Sequence, residues 1–491
     1  MEKYICLHGH FYQPPRENPW TSQVDVQETA HPYHDWNERI NAECYESNAK
    51  LKNYERMSFN FGPTLLTWLK EKGAYSYEAI LQADQISRIR FQGHGSALAQ
   101  GYNHMIMPLA NERDKHTQVI WGIKDFEHRF KRKPEGMWLP ETAVDVATLE
   151  VLVQHGILFT VLAPAQAAKI RKQGQRVWEE VGQYASVETK RVYKCPLPSG
   201  KSIALFFYDG SMATHVAFGG YINSATRFIH GIQREIERPF DEPTVIHCAV
   251  DGETYGHHHK RGQLVLKKVF DHFDQSDEAQ LINYGSFLER HPPTFEVEII
   301  ENTAWSCDSG LNRWSKDDRH SYDTHTRKVH KWRGTLRESL NWLRDQLIDV
   351  YETQMCQFCD DPWKARDEYI TLLLNLSDNN VDKFIRDIVG AGHALPLQDK
   401  TKILKLLEMQ KFAMFMFTSC GWFFEDVSRI ETIQILRYAA RAIELAREIT
   451  GISFLEDFVS RLEAAQSKDP ALVNGRVIFE RLIQPSMTHS P

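Results

Sequence analysis

No stretch of this sequence approaches the roughly 20 apolar residues that a membrane-spanning helix needs. The first residues also lack the apolar core of a secretory signal, because the opening apolar run over residues 4–7 ends at His8. Long basic runs are missing as well, and 58 Lys and Arg against 65 Asp and Glu give a net charge of −7. We therefore expect neither a membrane nor a nucleic acid as a partner.

A disulfide framework is not indicated either. The eight cysteines are scattered and fall mostly in apolar runs, as Cys6, Cys248 and Cys420 do. This pattern predicts reduced thiols in a cytoplasmic protein. Cys356 and Cys359 form a lone C-x-x-C pair, which we interpret as two ordinary thiols rather than as zinc ligands. The sequence thus predicts no metal and no cofactor, and it gives no oligomeric state.

What the sequence does contain, over about the first 300 residues, is an alternation of short apolar runs with helical patterns. Strands are predicted at 4–7, 58–61, 91–92, 136–139, 158–162, 203–208, 245–250 and 294–300. Strands that alternate with helices form parallel sheets, so the predicted fold class is α/β. Charged and polar residues at the ends of several strands favour a barrel of seven or eight strands over a doubly wound sheet.

The pattern changes after residue 302. Helical periodicity dominates from 326 to 464, and no Pro/Ser-rich linker precedes it. The sequence therefore predicts a barrel over 1–302 and an all-helical C-terminal domain over 303–491, packed on the barrel and contributing to the wall of its site. The polar stretch 17–52 is predicted to form an extended loop over the mouth of the barrel.

A carboxylate follows the fourth predicted strand, in the segment WLPE at 138–141. Pro140 ends the strand because it cannot donate to a sheet ladder. Glu141 would then project from the strand end beside the ring of Trp138, which is a candidate substrate-binding residue. The alternative is that Glu141 is an ordinary loop or helix-capping residue.

A second carboxylate follows the apolar strand that precedes DGE at 251–253. Gly252 permits a tight turn between Asp251 and Glu253. Burial at a strand end should raise the pKa of Asp251, which would suit it to donate a proton near neutral pH. Glu253 could orient a substrate hydroxyl or hold Asp251 in place. The alternative is a polar turn followed by an exposed histidine run at 257–259.

Histidine and aromatic side chains lie near other predicted strand ends. His8 and His10 are two residues apart in the first strand and should face the same way. His104 belongs to a second aromatic and histidine cluster, and Trp305 follows the last predicted strand. Flat apolar rings beside polar groups suit sugar faces, and they equally suit ordinary packing.

In their order along the chain, these segments resemble the motifs of glycoside hydrolase family 57, in particular its bacterial amylase- or mannosidase-like branch. The resemblance is carried by HGH…QP from His8, by 101–108, by WLPE, by DGE…G at 251–256 and by 305–314. It implies a (β/α)7 barrel with a helical C-terminal region. It also implies a retaining enzyme for α-glucan oligo- or polysaccharides, with Glu141 as nucleophile and Asp251 as general acid/base. Substrate contacts are implied for His8, His10, His104, Glu253 and Trp305.

In the retaining reaction the two carboxyl groups lie about 5–5.5 Å apart. Whether water or a sugar accepts the glycosyl group decides between hydrolysis and transfer or branching, and the sequence does not distinguish them. Two other functions stay open. A metal-dependent carbohydrate deacetylase-like hydrolase could use His8, His10, Asp251 and the 257–259 histidines as zinc ligands. The chain could also be a catalytically silent glycan-binding protein.

Overall fold

The computed structural model describes residues 2–182, 187–317, 331–390 and 395–487, and the chain forms two compact units. The first unit comprises Met1–Gln13, Val26–Tyr102 and Phe126–Ser306, and the second comprises Pro14–Asp25, Asn103–Asp125 and Cys307–Pro491. The last change from the first unit to the second follows residue 306, and the predicted domain boundary between 302 and 303 stays a prediction. Two earlier segments also belong to the second unit.

The strands of the described residues all lie in the first unit. They are β1 (Lys3–Phe11), β2 (Ser58–Phe61), β3 (Ala97–Gln100), β4 (Met137–Trp138), β5 (Phe159–Leu162), β6 (Ala167–Lys172), β7 (Glu179–Glu180), β8 (Val192–Pro196), β9 (Ser202–Phe207), β10 (Thr244–Asp251), β11 (Gln280–Leu281) and β12 (Phe295–Ile299).

Seven of these strands form a closed parallel ring. β10, β1, β2, β3 and β4 pair in parallel in that order. A parallel bridge between Gly136 and Phe159 joins β4 to β5, which pairs in parallel with β9. The Asp209 amide donates to the carbonyl oxygen of His247 at 2.9 Å and so connects the end of β9 to β10. The ring confirms the predicted parallel α/β barrel.

The strands that the sequence predicts well are those buried along most of their length. β1 and β10 are almost wholly buried and have the apolar runs that such strands need. The predicted strand 91–92 is wrong: the third ring strand is β3, with the sequence ALAQ. Ala and Gln do not favour strands, so pairing with β2 and β4 makes this segment extended. The predicted strand 294–300 is β12, which lies outside the ring and pairs with β6 and β8.

The helices of the first 300 residues are α1 (Trp36–Ile40), α2 (Glu46–Lys50), α3 (Pro63–Lys72), α4 (Ala74–Arg90), α5 (Glu112–Phe130), α6 (Val146–Gln154), α7 (Gly210–Ala217), α8 (Ala225–Glu237), α9 (Gly262–Asp274) and α10 (Tyr284–Arg290). A π-helical turn over Asn41–Tyr45 joins α1 to α2. The stretch predicted to be an extended loop is therefore helical from residue 36 to residue 50. Because the sequence of this stretch is polar, the spacing of its apolar residues does not indicate the helix.

The described C-terminal residues are helical, as predicted. Their helices are α11 (Asn312–Ser315), α12 (Arg333–Met355), α13 (Pro362–Glu368), α14 (Ile370–Leu374), α15 (Asp378–Val389), α16 (Leu397–Phe415), α17 (Ile430–Thr450), α18 (Leu455–Leu462), α19 (Gly475–Leu482) and α20 (Gln484–Met487). Among the described helices of both units, none is long and apolar enough to cross a membrane.

A buried ion pair attaches the start of β3 to the helices outside the ring. The Asp84 carboxylate on α4, 1% exposed, accepts two bonds from the Arg132 guanidinium at 2.7 and 2.8 Å. Ala97 in β3 donates its amide to Asp84 and accepts a bond from Arg132 at its carbonyl oxygen. One atom of each side chain, Asp84 Oδ1 and Arg132 Nη2, thus also bonds the backbone of the short strand.

Removing one member of this pair should destabilise the first unit. Asp84→Ala leaves the Arg132 guanidinium buried without its carboxylate, which costs about 3–5 kcal/mol. The midpoint of urea unfolding, followed by tryptophan fluorescence, should fall accordingly. Glu46→Ala, which removes an exposed ion pair with Lys50 on α2, is the control and should leave the midpoint unchanged. Equal midpoints for Asp84→Ala and the wild-type chain would contradict this account.

Candidate active site

The parallel register brings polar side chains from distant parts of the sequence to one edge of the ring. His10 in β1 lies opposite Asp251 in β10 and opposite Asn60 in β2. Gln100, the last residue of β3, lies opposite Trp138 in β4. Because parallel strands share their direction, these carboxyl-terminal positions lie at the same end of the ring, where α/β barrels carry their sites.

Glu141 follows β4 in a left-handed backbone conformation. Glu141 and Thr142 have φ angles of 57° and 49°, which are rare for residues other than glycine and cost about 1–3 kcal/mol each. The Thr142 amide donates to the carbonyl oxygen of Leu139, and Gln166 exchanges two hydrogen bonds of 2.8–2.9 Å with Thr142. These contacts hold the strained turn and with it the direction of the Glu141 side chain.

Two donors meet the Glu141 carboxylate. Its Oε2 accepts a hydrogen bond from Ser306 Oγ at 2.6 Å and from Trp305 Nε1 at 3.1 Å, and the Trp305 amide donates to the Glu141 carbonyl oxygen at 3.0 Å. The structure thus places Trp305, a predicted substrate contact, directly on Glu141. Sequence reasoning missed Ser306 as a contact, although it follows Trp305 within the segment 305–314 that resembles a family motif.

Asp251 ends β10 and differs from the buried residues before it, since part of its surface is open to solvent. Protein atoms crowd its carboxyl group on the other sides. This burial, followed by the negative charges of Glu253 and Glu141, raises the pKa of Asp251 to about 8. A carboxyl group that keeps its proton at neutral pH can serve as an acid. His10, which lies opposite Asp251 in the sheet, is edge-on to Trp305, the residue that bonds Glu141, so both carboxyl groups lie at the same end of the ring.

Glu253 is buried below the surface of the site. Gly252 before it must be glycine, because a Cβ atom there would collide with the ring of Phe11. Glu253 Oε1 accepts hydrogen bonds from the Tyr45 hydroxyl at 2.6 Å and from the Tyr12 amide at 3.2 Å. Burial nevertheless raises the pKa of Glu253 to about 7. Its predicted contact with substrate stays a prediction, since only 4% of the residue is exposed.

Asn60 connects the two histidines of β1. Asn60 Oδ1 lies 3.0 Å from His8 Nε2, and Asn60 Nδ2 lies 2.9 Å from His10 Nδ1 and 2.7 Å from Gln100 Oε1. Ser58 Oγ lies 3.0 Å from His8 Nδ1. Since an amide oxygen accepts and an amide nitrogen donates, we assign the proton of both rings to Nε2. Burial lowers the pKa of each ring to about 3, so both are neutral.

Aromatic rings cover this histidine layer. Trp138 stacks on His8 and His10 with centroid distances of 4.7 and 5.1 Å, and Trp305 meets Trp138 edge-on at 5.2 Å. His8 and Trp138 have no accessible surface, whereas Trp305 is partly exposed. The substrate contacts predicted for His8 and Trp138 stay predictions. Both side chains are buried, whereas Trp305 beside them is partly exposed.

His104 belongs to the second unit. Its backbone φ is 59°, its Nδ1 lies 2.6 Å from Ser419 Oγ, and its carbonyl oxygen accepts from the Ser419 amide at 3.0 Å. The ring is 1% exposed. His104 therefore fixes the start of the segment after α16, and its predicted contact with substrate stays a prediction.

The histidine run 257–259 makes contacts of its own. His257 Nδ1 lies 2.5 Å from Glu43 Oε2, and His259 Nε2 lies 2.7 Å from the carbonyl oxygen of Ala217. Burial, with the neighbouring rings, lowers the pKa of His258 to about 4. Within the described ranges, no group of three or more His, Cys, Asp or Glu side chains is arranged to hold a metal ion. The residues suggested for a zinc site do not converge.

Comparison with known families agrees with this geometry. Residues 11–299 match the family described as Glycosyl hydrolase family 57. The ring and this match together define the class of protein by its fold, a parallel α/β barrel. The chain belongs to glycosyl hydrolase family 57, as the order of its motifs predicted. Residues 329–491 match a second family, described as a domain of unknown function (DUF3536).

Three known proteins are similar to this chain at low sequence identity. The 1,4-alpha-glucan branching enzyme TK1436 of Thermococcus kodakarensis is 21% identical over 340 residues, covering 56% of this chain and 49% of that enzyme. The chain thus spans about half the length of that relative. The crystal structure of an exo-type maltose-forming amylase from Pyrococcus sp. ST04 has a TM-score of 0.73 at 16% identity, covering 99% of this chain and 93% of the other. A 4-alpha-glucanotransferase from Thermococcus litoralis has a TM-score of 0.55 at 15% identity, covering 91% and 60%. These likenesses show the fold.

The neutrality of the two buried histidines can be tested without an activity assay. Because burial lowers the pKa of His8 and His10 to about 3, neither ring should take up a proton above about pH 5. In Asn60→Asp, a carboxylate facing both rings favours the imidazolium form, so at least one should titrate between about pH 5 and 8. NMR of labelled histidine measures the protonation of both rings in the wild type and in Asn60→Asp, with the two signals assigned from His8→Gln and His10→Gln.

Asn60→Ala is the matched control, because it removes the same hydrogen bonds without adding a charge. Both rings should stay neutral in that variant. A charged His8 or His10 in the wild-type chain at pH 6, or neutral rings throughout in Asn60→Asp, would contradict the electrostatic account of the layer.

Proposed function

We propose that the chain is a retaining glycoside hydrolase or glycosyl-transferring enzyme acting on α-glucan oligo- or polysaccharides, with Glu141 as nucleophile and Asp251 as general acid/base. The contrast between the two carboxyl groups carries the proposal. Glu141 accepts hydrogen bonds from Ser306 and Trp305, as an ionised carboxylate does. The raised pKa of Asp251 keeps its proton in place. Carboxyl pairs whose environments separate their protonation supply an acid and a nucleophile.

In the first step, a Glu141 carboxylate oxygen attacks the anomeric carbon while the bond to the departing oxygen breaks. Asp251 gives its proton to that oxygen, and a glycosyl ester forms on Glu141 with inverted configuration. In the second step, Asp251 takes a proton from water or from a sugar hydroxyl, whose oxygen attacks the anomeric carbon. Glu141 leaves as a carboxylate, and the second inversion restores the original configuration.

Three features of the site support this reaction. The strained backbone at Glu141 fixes the direction of attack. The partly exposed Trp305 offers a flat ring beside the reacting carboxylate, as sugar-binding sites do. The relatives named above are a branching enzyme, an amylase and a glucanotransferase, which supports α-glucans as the substrate class. The free, mostly buried cysteines support our further proposal of a cytoplasmic location.

Two substitutions test the roles separately. With maltooligosaccharides or glycogen, Glu141→Ala and Asp251→Ala should each lower kcat by at least about 100-fold while the fold survives. An α-glucosyl fluoride has a leaving group that needs no proton, so Asp251→Ala should form its glycosyl ester at close to the wild-type rate. Glu141→Ala should lose this reaction as well. Product sizing and rapid-quench kinetics measure these outcomes.

Glu301→Gln is the control, because Glu301 is an exposed carboxylate that bonds the Val146 amide; its turnover should match the wild type. Longer glucan products would mean transfer, and shorter ones hydrolysis. Full glucan turnover by Glu141→Ala would contradict the role of Glu141 as nucleophile. A preference for α-mannosides over α-glucans would contradict the proposed substrate class.

A further inference from the structure

The π-helical turn over Asn41–Tyr45 packs against the loop that follows Asp251. Cys44 Sγ lies 3.5 Å from the carbonyl oxygen of Gly252, and Asn48 Nδ2 donates to the carbonyl oxygen of Tyr255 at 2.7 Å. Widened helical turns of this kind are frequent at functional sites. This turn therefore holds the position of the segment that carries Asp251 and Glu253.

The contact between turn and loop involves the two backbones directly. Gly256 has a φ of 147°, and a Cβ atom there would lie 2.6 Å from the carbonyl oxygen of Glu43. The Glu43 side chain lies 2.5 Å from His257 Nδ1. The loop can approach the turn this closely only with glycine at position 256.

Tyr45 is the residue of the turn that reaches the carboxyl groups. Its ring is fully buried and lies edge-on to Phe11 and Phe61, with centroid distances of 6.0 and 5.6 Å. Its hydroxyl donates to Glu253 Oε1 at 2.6 Å, and the Tyr12 amide donates to the same oxygen at 3.2 Å. Two donors aimed at one carboxyl oxygen favour the ionised form of Glu253.

We propose that Tyr45 is a positioning residue that decides, through Glu253, which of the two carboxyl groups Asp251 and Glu253 carries a proton at neutral pH. By donating to Glu253, Tyr45 favours the ionised form of that group and so favours the proton on Asp251. The inference rests on the proposed function, in which Asp251 gives this proton to the departing oxygen.

The electrostatic effects have the signs that this role requires. Burial raises the pKa of Glu253, and the hydrogen bond from Tyr45 lowers it. Burial also raises the pKa of Asp251, and the negative charge of Glu253 raises it further. Without the Tyr45 hydroxyl, Glu253 takes up a proton at higher pH. Its charge is then lost, and Asp251 gives up its own proton at lower pH.

Other groups near the pair are neutral or already part of the site. Within the part of the chain that the structure describes, the groups facing Glu253 and Asp251 from neighbouring elements include His10, Gln13, Cys44, Tyr54, Glu141 and Tyr208. Of these, only Glu141 is a carboxylate, and its charge also raises the pKa of Asp251. The Gln13 side chain also donates to Glu253, and Tyr45 is the donor that comes from the helical turn.

The full chain with Tyr45→Phe tests the proposal. In the pH profile of kcat/KM with a maltooligosaccharide, the alkaline limb should move down by about one pH unit. The rate of glycosyl-ester formation from an α-glucosyl fluoride should stay within about twofold of the wild type, because that leaving group needs no proton. A merely structural defect would lower both rates.

Tyr54→Phe is the matched control. Tyr54 is a buried tyrosine in the same aromatic cluster, and its hydroxyl donates to the Tyr45 carbonyl oxygen at 3.2 Å rather than to Glu253. Its pH profile should keep the wild-type alkaline limb. Should Tyr45→Phe fail to fold, Glu253→Gln keeps the acceptor oxygen, removes the charge and should produce the same downward shift. In the double variant Tyr45→Phe/Glu253→Gln, the alkaline limb should move no further than in Glu253→Gln alone.

A carboxyl 13C NMR titration, assigned with Asp251→Asn, reports the protonation of Asp251 without any substrate. The pKa of Asp251 should be lower in Tyr45→Phe than in the wild type and unchanged in Tyr54→Phe. If the wild type turns over glucans, but Tyr45→Phe changes neither the pKa of Asp251 nor the alkaline limb, this inference alone is overturned. Absence of glucan turnover in the wild type, with the Asp251 titration shifted as described, overturns the proposed function instead.

Discussion

The parallel pairing of β1 with β10 is the constraint on which the rest of the site depends. Eight register pairs, from Lys3 with Thr244 to His10 with Asp251, join segments 241 residues apart. Beyond the last pair, Phe11 packs on Gly252, and the Tyr12 amide reaches Glu253. A slip of one residue would turn the side chains of β1 to the other face of the sheet. The histidines and the acid could then no longer share one end of the ring.

The neutral histidine layer and the raised pKa of Asp251 belong to one electrostatic arrangement. Positively charged rings at His8 and His10 would stabilise a carboxylate and lower the pKa of Asp251. Burial, with Trp138 stacked on both rings, keeps them uncharged, although the hydrogen bonds to Asn60 favour the charged form. The negative charges of Glu253 and Glu141 then act on Asp251 without compensation from the layer below, and the acid keeps its proton.

Glu141 shows the complementary arrangement. Its carboxylate accepts hydrogen bonds from two neutral donors, Ser306 and Trp305. Such donors orient the oxygen and favour its charge. The strained turn at Glu141 and Thr142, held by Gln166, adds geometric control to this electrostatic control. The two carboxyl groups can therefore differ in protonation although they lie in one site.

The sequence predicts those features that depend on local pattern. The apolar runs of β1 and β10 and the position of Glu141 after Pro140 are evident without a structure. β3 was not evident, because ALAQ carries no strand pattern. The roles of Asn60 and Tyr45 depend on contacts across 50 and 208 residues. Only the closed ring creates such contacts, so no motif or spacing could indicate them.

The central claim is that Glu141 forms a covalent bond with the sugar. A 5-fluoro-α-glucosyl fluoride slows release of a glycosyl enzyme, so mass spectrometry of the protein after brief incubation can detect the bound sugar. The account predicts one added fluoroglucosyl group per chain, located by proteolysis and peptide sequencing on Glu141, and an α-configured product when the trapped enzyme turns over. A label on another residue, or a product of inverted configuration, would contradict it.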